Sequence, residues 1–533
     1  MRIAIVGGGI AGLAAAYELE VARKAGAEVE YTLFESHDRL GGSLSSEIVD
    51  GSVLERGPDS FLTEKPAAAE LCRELGLAAE LTPSNDAGRK TYILVRNRLV
   101  PLPDGLMFLV PTKLIPTALT RLFSLPTKLR MGLELLLPPR PSGLPDESVA
   151  ALVERHFGRE VVDRLADPLL SGIYGGDAAE LSARTVLPRL VEMEEVFGSL
   201  TRGMLAAHRA MRARAKRAAK NGKNRESGPA RRAAFTALRG GMQQMVDALA
   251  ARLDPASVRL STPVSRLEKT AAGWKVETGA PTDRSSSVGW ETGAPTDLGP
   301  PASDFDSLGQ RDRSSSVGSE AGGAAEFYDA VIVASPAWAA GALLGPVDPV
   351  LGEELSAIPY SSSITINLIY DEARLGRLPD GFGFLVPAVE GRSMLACTFV
   401  HRKFLGRTSP GKVVLRAFLG GMKNGALLTA SDDALVATVR RELSEILGEK
   451  ILPLEVEPEH TQVSRWPRAM AQYAVGHQRR KQRIASRVAA LDGLRLAGNA
   501  YDGIGVSDCI RLGRQAAREL IAASTLESSR SAG

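Results

Sequence analysis

The chain has 533 residues, 44% hydrophobic and 24% charged, which suits two or three soluble globular domains with ample core. A formal net charge of only +3 excludes a bulk polyanion binder. The three cysteines, Cys72, Cys397 and Cys509, are odd in number, far apart and without a C-x-x-C pair. That excludes a disulfide framework or a cysteine zinc site and predicts a reducing compartment; no metal ligands are assigned.

Ile3 to Val6 is a short apolar run of the kind that forms a buried parallel strand, which leaves no room for a signal peptide. It enters Gly7-Gly8-Gly9-Ile10-Ala11-Gly12, a match to G-x-G-x-x-G, and Ala/Leu-rich sequence predicts a helix from about Leu13 to Val21. Gly7 permits the tight bend, Gly9 lets backbone approach a pyrophosphate, and Gly12 lets helix pack on strand. The helix N-terminus then directs N–H groups and its positive dipole end at phosphate. A second apolar run, Val29 to Phe34, ends at Glu35, whose carboxylate can accept from ribose hydroxyls. Arg39-Leu40-Gly41-Gly42 adds a cation and a second glycine pair just beyond. That extension fits a cofactor with a charged pyrophosphate and a long buried ring system, FAD rather than NAD.

Ser43 to Phe61 reads as a strand pair across Asp50-Gly51, then a turn at Gly57-Pro58-Asp59-Ser60 that brings backbone near the flavin. Pro66 to Leu81 predicts one amphipathic helix. Arg89 to Val95 predicts a strand with the cations Arg89 and Lys90 at its mouth, and Arg96-Asn97 a turn. Leu106 to Leu137 is apolar but broken by Pro111, Pro116 and Pro126 and by Lys113, Arg121, Lys128 and Arg130, so it cannot span a membrane. Its short basic amphipathic helices suit plain packing, a helical domain lining an apolar tunnel, or peripheral contact with a membrane surface. Leu169 to Asp177 is glycine-dense between helical stretches, either a hinge or a place where backbone reaches a bulky ligand. From Arg202 to Arg232 eleven Lys/Arg face the single Glu226, but no aromatics interleave them. A solvated helix followed by an exposed loop is expected there, not a nucleic-acid site.

Val258 to Leu267 predicts strand, turn and strand. Glu-Thr-Gly-Ala-Pro-Thr-Asp then occurs at Glu277 and again at Glu291, and Asp-Arg-Ser-Ser-Ser-Val-Gly at Asp283 and again at Asp312. Such duplicated polar blocks bury no core, so residues 278–322 are expected to be a disordered insertion within a hairpin or meander. Tyr328 to Pro336 predicts a parallel strand returning to the first sheet. Strand-like segments between Tyr360 and Gly421 predict a mostly antiparallel sheet, Ser431 to Leu447 a helix, and Pro467 to His477 extended chain. Finally Leu494 to Asn499 ends at Gly498-Asn499, and Gly503-Ile504-Gly505-Val506-Ser507 feeds a helix from about Cys509 to Ala523. Capped by Ser507 or Asp508, that helix would be a second anion-ready terminus, suited to negative charge on a reduced flavin.

Gly7 to Gly12, Arg39 to Gly42, Gly57 to Phe61 and Gly498 to Ile510 together resemble the flavin-dependent amine oxidase-like superfamily. Within it, Leu170 to Asp177, Gly381 to Pro387 and Gly503 to Ile510 look like the porphyrinogen oxidases of haem synthesis, over nearly the whole chain outside 278–322. The resemblance implies an α/β fold, α+β overall. A Rossmann-like FAD domain would be assembled from 1–80, 231–277, 323–350 and 463–525. A sheet-based substrate domain would take 81–95 and 351–462, and a helical domain 96–230. It further implies that Val264 meets adenine through its backbone and that Trp466 flanks the flavin. Gly172 would accept from a pyrrole N–H, and Leu385, Thr398 and Phe418 would pack on the macrocycle. The family's substrate-carboxylate arginine falls on Thr91, a departure that leaves Arg89 or Lys90 to substitute.

The implied reaction is six-electron oxidation of a porphyrinogen by FAD and dioxygen, with hand-off of product to a ferrochelatase. The setting is cytoplasmic, with peripheral contact at the membrane's inner face as an alternative. The chemistry belongs to the cofactor, so no side-chain catalyst is named. Ala396 to Phe404 and Ile93 to Arg98 look more like the soluble bacterial coproporphyrinogen branch, and Arg402 and Lys403 could answer that substrate's extra carboxylates; protoporphyrinogen IX is the alternative. An amine oxidase is disfavoured because its paired-aromatic cage is not found in the C-terminal segment. A carotenoid desaturase stays open, as does an interaction module of flavin fold, which an absence of bound flavin would support.

Overall fold

The computed structural model describes residues 1–220, 233–279 and 325–531, apart from 104, 108, 112, 140 and 142. Its first layer is a five-stranded parallel sheet in the order Val258–Arg259, Glu30–Phe34, Arg2–Val6, Ala330–Val333, Leu494–Leu496. These are the short apolar runs that predict strands buried on both faces: Ile3, Ile5, Leu33, Val331 and Ile332 are all fully buried. The helix Ile10–Lys24 starts directly off Gly9, earlier than expected, and the C-terminal helix Val506–Ser531 packs across it. A Cβ at Gly513 would lie 2.0 Å from the Ala11 carbonyl oxygen, so only glycine allows that crossing.

The second sheet has seven strands in the order His460–Ala471, Tyr360–Asp371, Lys412–Gly420, Met394–Phe399, Gly383–Leu385, Thr91–Val95, Arg98–Pro101. All neighbours are antiparallel except Gly383–Leu385 beside Thr91–Val95. Side chains alternate between faces along each strand. One face (Ile364, Ile366, Leu368, Leu415, Ala417, Leu419, Phe384 and Phe399) is covered by Asp432–Leu447 through Leu435, Val439 and Leu443. The other face is left to the site. A third layer of helices, including Val149–Phe157, Asp167–Tyr174 and Pro188–Phe197, packs on Ile93 and Leu385 at the edge of that second face.

Several boundaries differ from the sequence reading. The helix from Pro66 ends at Glu74, because Gly76 takes a left-handed φ of 84° and Leu81–Pro83 becomes a strand beside Phe235–Leu238. The glycine-dense stretch from Leu169 is helical through Tyr174, closed by Gly175 at φ 58°; a π-helical turn, Val162–Ala166, precedes it. Residues 463–471 run along the antiparallel sheet as its outer strand, paired with Tyr360–Asp371, and the helix His477–Ala489 follows. Both two-residue turns form with positive φ at each central residue, Asp50-Gly51 and Arg96-Asn97, as tight hairpins require. The expected disordered insertion 278–322 lies outside the described residues except for Thr278 and Gly279. The strands that flank it, Gly273–Thr278 and Ala325–Tyr328, pair in a meander. The loop expected after residue 220 lies outside them too.

Candidate active site

The first glycine loop gathers the residues read as the pyrophosphate and ribose cradle. Gly7, at φ 109°, leads out of the first strand, and a Cβ on Gly12 would lie 1.9 Å from the Gly7 carbonyl oxygen. Space opens above Gly9, where an added Cβ would meet nothing within 4 Å, and no side chain caps the helix that begins at Ile10 and Ala11. The Gly8 N–H donates to Glu35 Oε2 at 2.7 Å, and His37 donates to Glu35 Oε1 from its backbone N–H at 2.9 Å. Burial opposes ionisation of Glu35, but the bonds from His37 and Gly8 outweigh it and hold the carboxyl below its ordinary range. The anionic acceptor that a ribose needs is therefore preformed. Ser261 and Thr262 donate their N–H groups to the carbonyls of His37 and Glu35, both at 2.8 Å, which sets Val264 just beyond this end.

A line of close backbone contacts runs from there to the second sheet. Gly41 donates its N–H to the Gly8 carbonyl at 2.9 Å, and a Cβ on Gly42 would lie 3.2 Å from Gly9 Cα. Arg39 Nη2 donates to the Gly42 carbonyl at 2.6 Å. A Cβ on Gly57 would strike the Ser43 carbonyl at 1.9 Å and lies 3.5 Å from the Trp466 ring. Trp466 Nε1 and Thr365 Oγ1 both donate to the Arg56 carbonyl, at 2.8 and 2.6 Å. The run Glu55 to Ser60 is thus bound onto the open face of the antiparallel sheet.

On the other side Gly498 faces Ser335, whose Oγ is buried with no partner among the described residues, and Asn499 Nδ2 donates to the Ala469 carbonyl at 2.9 Å. An orphaned hydroxyl beside Gly7, the opening at Gly9 and a path bridging two sheets fit an elongated dinucleotide. Gly7 to Gly12, Glu35 and Ser335 would hold its nucleotide half, and Gly57 to Ser60, Trp466 and Asn499 its ring.

The C-terminal helix terminus differs from its expected form. The helix starts at Val506, so Ser507 and Asp508 lie in its first turn rather than at its cap. Ser507 Oγ donates to the Lys65 carbonyl, and the Gly505 N–H donates to Asp508 at 3.2 Å. Lys65 Nζ neutralises Asp508 at 2.6 Å, and the Gly503 N–H, next to Ile504, donates to the Tyr473 hydroxyl at 2.8 Å. This terminus carries its own carboxylate because the helix begins early enough for Asp508 to reach back, as in the return bond of a capping box.

The substrate-side residues converge on the sheet's open face. Leu385, Ala396, Phe418 and Thr365 form one cross-strand row, and Thr91, Gly383, Thr398 and Arg416 the next. Gly172 sits over Leu385, 3.2 Å from a built Cβ to Leu385 Cδ2, in the last turn of its helix. Last-turn carbonyls lack intrahelical partners, so this backbone is suited to accept from a ligand N–H. Arg89 and Lys90 immediately precede Thr91; both are exposed, and Arg89 lies 3.6 Å from Asp86.

The pair Arg402 and Lys403 is otherwise employed. Arg402 donates to Asp380 at 2.8 Å, and Lys403 to Asp59 at 2.8 Å. Lys403 therefore belongs to the sheet–loop joint and not to a substrate mouth. Sequence reading also missed Arg407 and Arg416, both almost fully buried. The available signal was a cation at an inward position of an otherwise apolar strand, Val413-Val414-Leu415-Arg416-Ala417-Phe418. All three cysteines are buried, and burial raises each thiol's pKa, so they stay neutral.

The model of the flavin containing amine oxidoreductase family matches residues 10–288 and 306–521. The chain is 29% identical to the coproporphyrinogen III oxidase of Bacillus subtilis, covering 98% of both chains. It is 33% identical to the coproporphyrinogen III oxidase of Propionibacterium freudenreichii, covering 98% of this chain and 90% of that one. Among solved structures it superposes on an Exiguobacterium protein described as a protoporphyrinogen oxidase with a TM-score of 0.76, at 28% identity and 98% coverage of both.

Proposed function

The chain belongs to the flavin containing amine oxidoreductase family, and from that premise we propose that it is an oxygen-dependent FAD oxidase converting coproporphyrinogen III to coproporphyrin III in haem biosynthesis. The observation that carries this is the site face itself. An apolar row, Leu385, Ala396 and Phe418, lies opposite a helix end at Gly172 and beside the clamped Gly57–Trp466 segment. A flat, largely apolar macrocycle with inward N–H groups and charged arms is the matching ligand.

FAD, when bound, supplies the two-electron oxidation, accepting hydride from a meso carbon and passing the electrons to dioxygen. The chain's residues orient and enclose. Leu385 and Phe418 pack the macrocycle's faces, and Thr398 continues the same surface. The Gly172 carbonyl accepts one pyrrole N–H, which fixes the ring's rotation. Arg89 and Lys90 meet propionates at the outer end of the Thr91–Thr398 row. Over three turns six electrons and six hydrogens leave, and three dioxygen become three hydrogen peroxide. Simultaneous oxygen-electrode and porphyrin-absorbance traces test this: three dioxygen consumed per porphyrin supports the reading, and one per product contradicts it.

Peripheral contact with an anionic membrane surface is the second part of the reading. The helices Leu114–Leu119 and Leu125–Leu133 expose Ile115, Leu119, Leu125, Leu129 and Leu133, with Lys113, Arg121 and Arg130 also at the surface. Among the described residues no helix is long and apolar enough to cross a membrane. Co-sedimentation with anionic but not neutral vesicles is expected, and no sedimentation with either would contradict it.

A further inference from the structure

Beneath Gly57 lies a cluster of five buried or nearly buried charges. Arg407, fully enclosed, pairs with Glu55, which also accepts from the Met242 N–H at 2.8 Å and the Ser46 hydroxyl at 2.5 Å. Lys403 Nζ lies 2.8 Å from Asp59 Oδ2, and Arg416 Nη1 lies 3.8 Å from the same oxygen. Arg416 also donates to the Gly57 carbonyl, its guanidinium stands 4.9 Å over the Phe418 ring, and its Nε is buried with no partner among the described residues. Three cations against two carboxylates leave one positive charge, and the geometry assigns it to Arg416: Glu55 is engaged by Arg407, and Asp59 is held more closely by Lys403. Among the described residues the nearby carboxylates Glu47 and Asp380 are engaged elsewhere, by Arg56 at 3.2 Å and by Arg402 at 2.8 Å.

We propose that Arg416 is a positioning residue that sets the reduction potential of the flavin, through the uncompensated positive charge it places behind the Gly57–Pro58 backbone. A fixed cation in a water-poor joint acts over a longer distance than one at the surface. It favours the reduced ring, which carries more negative charge than the oxidised one, so it makes the cofactor a better acceptor for substrate hydride. Burial holds the Arg416 guanidinium below its ordinary value, opposed by Asp59 and Glu55, as expected for a cation taken out of water. The same contact fixes Gly57, so the residue that biases the ring's electronics also locates the backbone against which the ring is expected to lie. The inference rests on the placement of the ring given under the proposed function.

The test is the midpoint potential of bound FAD, measured anaerobically against a reference dye in the full-length holoenzyme. Arg416→Gln is expected to shift the reduction equilibrium about tenfold toward oxidised flavin, which is about 30 mV for a two-electron couple. Asp59→Asn, which adds net positive charge, is expected to move it the opposite way by a similar factor. Arg416→Lys is expected to stay near wild type. Opposed shifts support the proposal. Shifts of the same sign in Arg416→Gln and Asp59→Asn, or potentials indistinguishable from wild type in those two variants with FAD retained, overturn it while leaving the oxidase reading intact. Should Arg416→Gln fail to fold, Asp59→Asn decides: a potential above that of wild type supports the proposal, and an unchanged or lower one overturns it. A wild-type protein that binds no flavin overturns both readings.

Discussion

Gly172 lies directly over Leu385: a methyl group added at Gly172 would approach Leu385 Cδ2 to 3.2 Å. One comes from the last turn of a helix and the other from an interior strand of the seven-stranded sheet, so their contact marks where the helical layer meets the sheet's open face. Gly172→Val would narrow that gap and move the carbonyl assigned to the pyrrole N–H. A roughly 10–100-fold fall in kcat/KM is expected with flavin content unchanged, since about 1 Å of misplacement can remove that much. Unaltered steady-state kinetics would contradict the assignment.

Glu35 accepts from Gly8 and His37 before any ligand arrives, and its carboxyl is held ionised. Glu35→Ala removes a charged acceptor for ribose hydroxyls, worth about 1.5–3 kcal/mol. FAD affinity for the apoprotein is expected to weaken by about 10–150-fold, read by fluorescence quenching. A dissociation constant within twofold of wild type would remove Glu35 from the site.

Gly513 is outside every glycine motif, yet its added Cβ would lie 2.0 Å from the Ala11 carbonyl. Gly513→Val must push the C-terminal helix off the first one, with overpacking expected to destabilise by about 1–3 kcal/mol or more. Because both helices back the glycine loop, unfolding and flavin release should shift to lower temperature together. An unchanged Tm would show that the crossing relaxes freely.

In the helical layer His156 is bound on both ring nitrogens, to Glu134 and to Glu194, each at 3.0 Å, and all three are buried. Burial lowers the imidazole pKa, but the two carboxylates outweigh it and leave the pKa raised; Glu194 is lowered to about 2. For a histidine raised on folding, the stabilisation is complete below the unfolded value near 6.5. It is lost as pH climbs through the folded value. The carboxylates contribute above their unfolded values, and that contribution is lost only in acid. Wild-type Tm is therefore expected to fall on the alkaline side of neutrality, and His156→Gln to abolish that slope. The variant should also lower stability by about 3–5 kcal/mol, since it removes the cation from between buried Glu134 and Glu194, of which Glu194 keeps Arg155 at 2.8 Å. An equal alkaline slope in both proteins would contradict the sandwich as its source.

The parallel sheet was legible because Ile3 to Val6, Val29 to Phe34 and Ala330 to Val333 are short and apolar, the first two followed at once by Gly7 and Glu35, which is a local signature. The antiparallel sheet was legible as strands. Its order was not, because the partnering of Thr91 with Gly383 depends on chain nearly 300 residues away. Helix limits failed where one residue's conformation decides them, as at Gly76. They failed also where a side chain reaches back, as Asp508 does to Gly505. The charge cluster was invisible for a further reason: Glu55, Asp59, Lys403, Arg407 and Arg416 come from segments that only the docking of loop on sheet brings together.

The most direct measurement is aerobic turnover of purified, FAD-loaded protein on coproporphyrinogen III and protoporphyrinogen IX side by side, followed by porphyrin fluorescence and corrected for autoxidation. Flavin-dependent formation of porphyrin is expected, with the higher kcat/KM on coproporphyrinogen III. Preference for protoporphyrinogen IX would contradict the substrate assignment, and flavin-loaded protein inactive on both would contradict the function itself.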